Sequence, residues 1–198
     1  MKRLLFSVWR TFASLGRPSK WANERRLHAR GESAASLTIR DATAADVPSL
    51  TRLHVTTWNA TYAPLLMKGP SYETRERQWR ESFAAADACW FCFVVERSDG
   101  ELVGFAQANR SDNPEFGGEL RKIYLLPEYQ RLGLGKRLIG RVARRFLSLG
   151  ITSMWLSGDA RNPSRRAWIS LGADKTDSDP GTGNYGWHDL TRLAALPD

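Results

Sequence analysis

Hydrophobic and polar positions alternate with two periods along this chain. Residues 37–40 read as a short strand. Thr43 and Asp46 have the spacing of a helix-capping box, and Val47, Leu50, Leu53 and His54 then fall on or near one helical face. Trp58 and Tyr62 follow one turn apart near the end of that helix, before Pro64. Residues 71–86 read as a second, highly charged helix carrying Trp79 and Phe83. Residues 90–96 and 102–109 flank a Ser98-Asp-Gly turn and predict a hairpin. A third strand at 119–126 ends before Pro127. The strongest helical signal is Leu134, Leu138, Val142 and Phe146, with Lys136, Arg137, Arg141, Arg144 and Arg145 elsewhere. Strands at 151–157, 173–176 and 185–190 and a helix at 164–171 complete the pattern. The predicted order β α α β β β α β α β β is an α/β layout with a mixed sheet and an antiparallel first half.

The pattern weakens before residue 37. Residues 1–30 hold eight of the 29 Lys and Arg but one of the 21 Asp and Glu, so most of the net charge of +8 lies there. The remainder is close to neutral, which argues against a nucleic-acid partner. Leu4, Val8, Phe12 and Leu15 would share one face of a helix. Residues 1–36 are therefore expected to be a basic tail, either disordered or an isolated amphipathic helix able to touch a membrane surface, with the domain occupying 37–198. Arg10 interrupts the apolar stretch too early for a secretory signal. No run approaches the ~20 apolar residues of a membrane helix. Two cysteines exclude a disulfide scaffold and suggest a reducing, cytoplasmic setting. Nothing in the pattern sets an oligomeric state.

Cys89-Trp-Phe-Cys92 is a Cys-x-x-Cys, but positions three apart on a strand point to opposite faces, and there is no second cysteine pair. His28, His54 and His188 lack ligand spacing, so no metal is expected. The informative segment is Gln130-Arg-Leu-Gly-Leu-Gly-Lys136, where a strand passes through a turn into the long helix. Glycines let a ligand approach the backbone, and the unpaired first N–H groups of a helix favour an anion such as a pyrophosphate. Leu138 stands where a dinucleotide fingerprint needs its third glycine, and the segment lacks a P-loop ending.

This segment resembles the acetyl-CoA motif Gln/Arg-x-x-Gly-x-Gly/Ala of the GNAT N-acetyltransferases. Leu102-Val-Gly-Phe-Ala106 resembles that family's third strand, and Asn162-Pro-Ser-Arg-Arg-Ala-Trp-Ile-Ser-Leu-Gly-Ala173 its second cofactor segment. The likeness covers about residues 37–191. It implies an acetyl-CoA cosubstrate whose pyrophosphate is cradled by backbone N–H groups of Arg131, Leu132, Gly133, Leu134, Gly135 and Lys136. It also implies that Ile123 and Leu125 pair their backbone with the pantetheine arm, that the Leu125 N–H polarises the thioester carbonyl, and that Asn162 bonds the pantetheine or the adjoining loop.

The implied activity is acetyl transfer to a primary amine by direct attack in a ternary complex. The acceptor is left open between a small molecule and a peptide or protein. Glu119 has the spacing from Leu125 at which some members carry the general base. Residues 119, 121, 123 and 125 would share a face on a regular strand, and a bulge would change that. Trp58 and Tyr62 stand where the family shapes its acceptor pocket; core packing is the other reading of both. Arg75, Arg77 and Arg80 read as a solvated face. Trp168 departs from the family, which usually has Tyr there to protonate the leaving thiolate. Tyr124 and Tyr185 are other phenols. The departure also suits an alternative, a non-catalytic acyl-CoA-binding sensor or scaffold.

Overall fold

The computed structural model describes residues 19–198 apart from 66, 163 and 178. Its seven strands are β1 (Thr38–Asp41), β2 (Phe91–Glu96), β3 (Leu102–Arg110), β4 (Gly118–Leu125), β5 (Met154–Leu156), β6 (Asp174–Lys175) and β7 (Tyr185–Trp187). They form one sheet in the order β1-β2-β3-β4-β5-β7-β6. Among the described residues only the β4–β5 pair is parallel, so the expected mixed sheet with an antiparallel first half is what the chain forms.

Both faces of the sheet are covered. Phe91, Phe93 and Val95 of β2 point to one layer, and Cys92 and Val94 to the other, so β2 reads as a continuous apolar run. One layer is built on the helix Leu134–Ser148, whose Leu134, Leu138, Val142 and Phe146 are fully buried as their spacing predicts. The other is built on the helices Val47–Tyr62 and Tyr72–Ala84, through Leu50, Leu53 and Trp79. The box of Thr43 and Asp46 is present, and Arg40 clamps the Asp46 carboxylate with two hydrogen bonds of 2.8 and 2.9 Å. That pairing holds the carboxyl below its usual pKa range.

The expected boundary at residue 36 needs correction. Residues Lys20–Ala29 form a helix, α1, packed on the domain. Its Leu27 enters the same core as the long helix. Asn23 is wholly buried and donates from Nδ2 to the carbonyls of Pro127 and Gln130 at 3.0 and 2.8 Å. Farther on, Glu32 pairs with Arg97 at 2.6 Å, and Arg137 donates to the carbonyls of Ala34 and Leu37 at 2.9 and 3.1 Å. The segment was hard to see because only two positions one turn apart face inward, and one of them is polar. Leu4, Val8, Phe12 and Leu15 lie outside the described residues. The remaining helices, in chain order, are α2 (Val47–Tyr62), α3 (Tyr72–Ala84), α4 (Leu134–Ser148), α5 (Arg165–Ser170) and α6 (Thr191–Ala194).

Candidate active site

Strands β4 and β5 pair at Gly118↔Met154 and Glu119↔Trp155 and then separate. The remaining edge of β4 opens into a cleft of about 910 Å³. The β3–β4 register fixes what that edge presents. Leu126 N–H donates to the Val103 carbonyl at 2.9 Å, and Leu125 stands opposite Gly104. Because an antiparallel ladder alternates inward and outward backbone groups, Leu125 and Ile123 turn their N–H and C=O groups away from β3 and toward the cleft. The Leu125 carbonyl accepts from Gln130 Nε2 there at 3.1 Å.

The cleft runs from this edge to the start of α4. Arg131 and Gly133 both take left-handed backbone angles, φ 66° and 87°. A left-handed non-glycine residue is strained by roughly 1–2 kcal/mol, a cost found at binding loops. Among the described residues, the N–H groups of Arg131, Leu132 and Gly133 find no backbone acceptor, and α4 has no side-chain cap at Gly133. The N–H groups of Leu134 and Gly135 extend this row, whereas the Lys136 N–H, expected to join it, already donates to the Gly133 carbonyl at 2.9 Å. Gly133 is explained by its φ. Gly135 is helical, and a Cβ there would meet only Leu125 Cδ1 at 3.9 Å. Glycine in a helix costs up to about 1 kcal/mol against alanine, so room on the cleft side is the physical reason for it. Lys20, Arg131, Lys136, Arg165 and Arg166 line the cleft, with Glu24 paired to Lys20 at 3.6 Å, so its lining carries an excess of cations. The donor row and its charge fit the pyrophosphate and phosphates of a coenzyme A.

At the other end, Tyr62 lines the cleft and stacks on Trp58 with centroids 4.9 Å apart. Trp58 stands behind it, packed so closely on Gly69 that a Cβ there would lie 2.7 Å from the indole. Asn162 also lines the cleft, but its Nδ2 donates to the Tyr62 hydroxyl at 2.9 Å and its Oδ1 accepts from Ser164 N–H. It thus ties α2 to the turn before α5. Trp168 lines the cleft as well, edge-on to Trp187.

Glu119 departs from the face expected for it. The register shifts between Gln107 and Ala108, leaving Arg121 as an extra residue on β4. Ile123 and Leu125 pack against the α4 core, as Leu120 does, whereas Tyr124 faces the α2–α3 core. The bulge therefore moves Glu119 to the Lys122 and Tyr124 face. It is nearly buried, held by Arg121 at 3.0 Å, and set back from the residues that line the cleft.

His54 is buried among Trp79, Phe105 and Tyr124. Burial, and then the charges of Arg75 and Lys122, push its pKa down to about 2, so it is neutral. Burial pushes the Tyr124 phenol up and keeps it protonated. Cys92 is buried, and that burial pushes its thiol well above the ordinary range. Lys122 carries no signal in the sequence, and Arg75 departs from the solvated face expected for it. Lys122 is a half-buried cation on a cleft-lining strand, and Arg75 turns inward, while Arg77 and Arg80 pair on the helix surface with Glu81 and Glu76.

Comparison with known proteins agrees with this geometry. An uncharacterised N-acetyltransferase of Bacillus subtilis, YuaI, is 28% identical over 178 residues, covering 81% of this chain and 98% of its own. An uncharacterised N-acetyltransferase of Mycobacterium tuberculosis is 35% identical over 69 residues, covering 35% and 43% of the two chains. Among solved structures, the PaiA N-acetyltransferase of Thermoplasma acidophilum in complex with coenzyme A superimposes with a TM-score of 0.59 at 21% identity, covering 76% of this chain and 98% of that one. The spermidine N-acetyltransferase of Vibrio cholerae with coenzyme A and spermine does so at 0.59 and 17% identity, covering 80% and 99%. Residues 50–173 match the profile of the acetyltransferase (GNAT) family. A splayed β4 edge that runs into an uncapped, glycine-opened helix, within a matching stretch of more than half the sequence, places this chain in the GNAT family of N-acetyltransferases.

Proposed function

We propose that the protein moves an acetyl group from acetyl-CoA to a primary amine by direct attack with both bound. The observation that carries this is the free β4 edge beyond Glu119, leading to the unpaired N–H groups at the start of α4. Backbone N–H groups from Arg131 to Gly135 hold the pyrophosphate, and Ile123 and Leu125 pair with the pantetheine arm. The Leu125 N–H polarises the thioester carbonyl, as a donor aimed at developing negative charge. Asn162 fixes Tyr62, and with it Trp58, as the acceptor wall.

A primary ammonium, with its pKa near ~10, must lose a proton before attack. Glu119 takes it, through water, because the carboxylate stands back from the cleft lining. The amine nitrogen then bonds the acetyl carbon, and the carbon–sulfur bond breaks. Trp168 has no proton to give, but a thiol's own pKa of ~8.5 lets the thiolate depart and take its proton from solvent. Tyr124, which lines the cleft, is the protonated phenol at hand.

The test is free-thiol release from acetyl-CoA across a panel of amines. Glu119→Gln should lower turnover by about 10²–10⁴-fold with acetyl-CoA affinity little changed. A rate within about twofold of the original, measured below the amine's pKa, would leave Glu119 a structural role. Trp168 also favours a second reading, an acyl-CoA sensor, which would bind acetyl-CoA and release no thiol with any amine.

A further inference from the structure

Lys122 lines the cleft, Arg75 of α3 lies close enough to act on its charge, and among the described residues neither forms an ion pair with a carboxylate. Lys122 donates to the neutral Oε1 of Gln107 at 2.7 Å and lies 5.4 Å from the Trp79 ring centre. Arg75, half-buried on α3, donates from Nη1 to the neutral Gln78 at 2.9 Å, while its Nε is buried with no partner. Nearby carboxylates are already taken: Glu119 by Arg121 at 3.0 Å, and Asp159 by Arg161 at 2.7 Å. Among the described residues, the buried His54 Nδ1 beside them also has no partner.

The strain of this arrangement shows in the groups themselves. Burial, then the charges of Arg121 and Arg75, push the Lys122 ammonium down to about 8, although Glu119 opposes this. Burial also lowers Arg75. Half-buried like charges are unfavourable until an anion joins them.

We propose that the acceptor amine carries an anionic group, a carboxylate or a phosphate, which binds between Lys122 and Arg75. This rests on the reading of the cleft as an amine acetylation site. A polyamine has the opposite charge, and would need unpaired carboxylates where the chain places unpaired cations. In the transfer the new carbon–nitrogen bond replaces the carbon–sulfur bond, the amine proton goes through water to Glu119, and the anionic group is unchanged.

The experiment titrates the CoA-saturated protein with β-alanine, phosphoethanolamine, ethanolamine and spermidine by calorimetry, and measures thiol release with the same amines. The two anionic amines should bind at least about tenfold tighter than ethanolamine, with spermidine weakest; their order distinguishes carboxylate from phosphate. Lys122→Met and Arg75→Gln should each raise KM for the preferred anionic amine about tenfold, leaving KM for ethanolamine within about twofold and acetyl-CoA affinity unchanged. Melting curves confirm that both variants fold. Spermidine or ethanolamine binding as tightly as the anionic amines, or variants that shift every amine alike, would overturn the proposal. If acetyl-CoA itself fails to bind, the acetyl-transfer reading falls. Anion binding to the free protein, lost or kept in the two variants, then still decides this one.

Discussion

The two ends of the cleft are made differently. The end proposed for the cofactor is mostly backbone: an open strand edge, two left-handed residues and a helix start within a short stretch of β4 and α4. The end proposed for the acceptor is side chains brought from α2, β4 and the turn before α5, namely Tyr62, Lys122 and Asn162, with Arg75 of α3 near Lys122. A backbone site tolerates change in most side chains and fails where a glycine is filled. A side-chain site changes specificity one residue at a time, while the fold continues to hold the cofactor.

The largest expected effect is on the support of the cofactor end. A chain starting at residue 37 loses α1, and with it the burial of Leu27 and the Asn23 bonds to Pro127 and Gln130. Full burial of a leucine contributes about 1.5–3 kcal/mol and each hydrogen bond about 1 kcal/mol. Stability should fall by about 4 kcal/mol and the Tm by roughly 10 °C, with weaker acetyl-CoA binding. A Tm within about 2 °C of the full chain would show that α1 rests on the domain without supporting it.

Gly135→Asp should come next. The fold has room for the Cβ, and an acidic residue suits the first turn of a helix, so the melting curve should barely move. The carboxylate would stand beside the pyrophosphate, and acetyl-CoA affinity should fall by about 100-fold or more, roughly 3 kcal/mol. Equal affinity by calorimetry would remove the α4 start from the cofactor site.

The smallest effect belongs to the packing behind the acceptor end. With its pKa depressed to about 2, His54 remains neutral in the folded chain while the unfolded chain protonates below pH ~6.5. The unfolded state then binds more protons, so stability falls as pH drops through that window, by about 2 kcal/mol at pH 5. His54→Phe should remove this slope in denaturant titrations at pH 7 and pH 5. An unchanged slope would mean that other groups govern the acid limb.

The readable parts of this protein were local in sequence. The four residues Leu134, Leu138, Val142 and Phe146 name their own helix and buried face, since the 3.6-residue period needs no distant partner. The Gly133 turn is equally local, because a positive φ next to a helix start selects glycine. Helix α1 was not readable: with one apolar and one polar inward position, its order depends on the carbonyls of Pro127 and Gln130, more than 100 residues away.

The face of Glu119 and the charge of the acceptor wall were decided in three dimensions. One extra residue at Arg121 reverses the side on which Glu119 stands, and a bulge is set by cross-strand register with β3. Arg75 looks like its neighbours Arg77 and Arg80 along the helix, yet those two find glutamates one turn away, whereas Arg75 donates to the neutral Gln78 and buries its Nε. Periodicity records which positions face inward. Which charges meet there, and which are left without a partner, follows only from the packing of separate elements against one another.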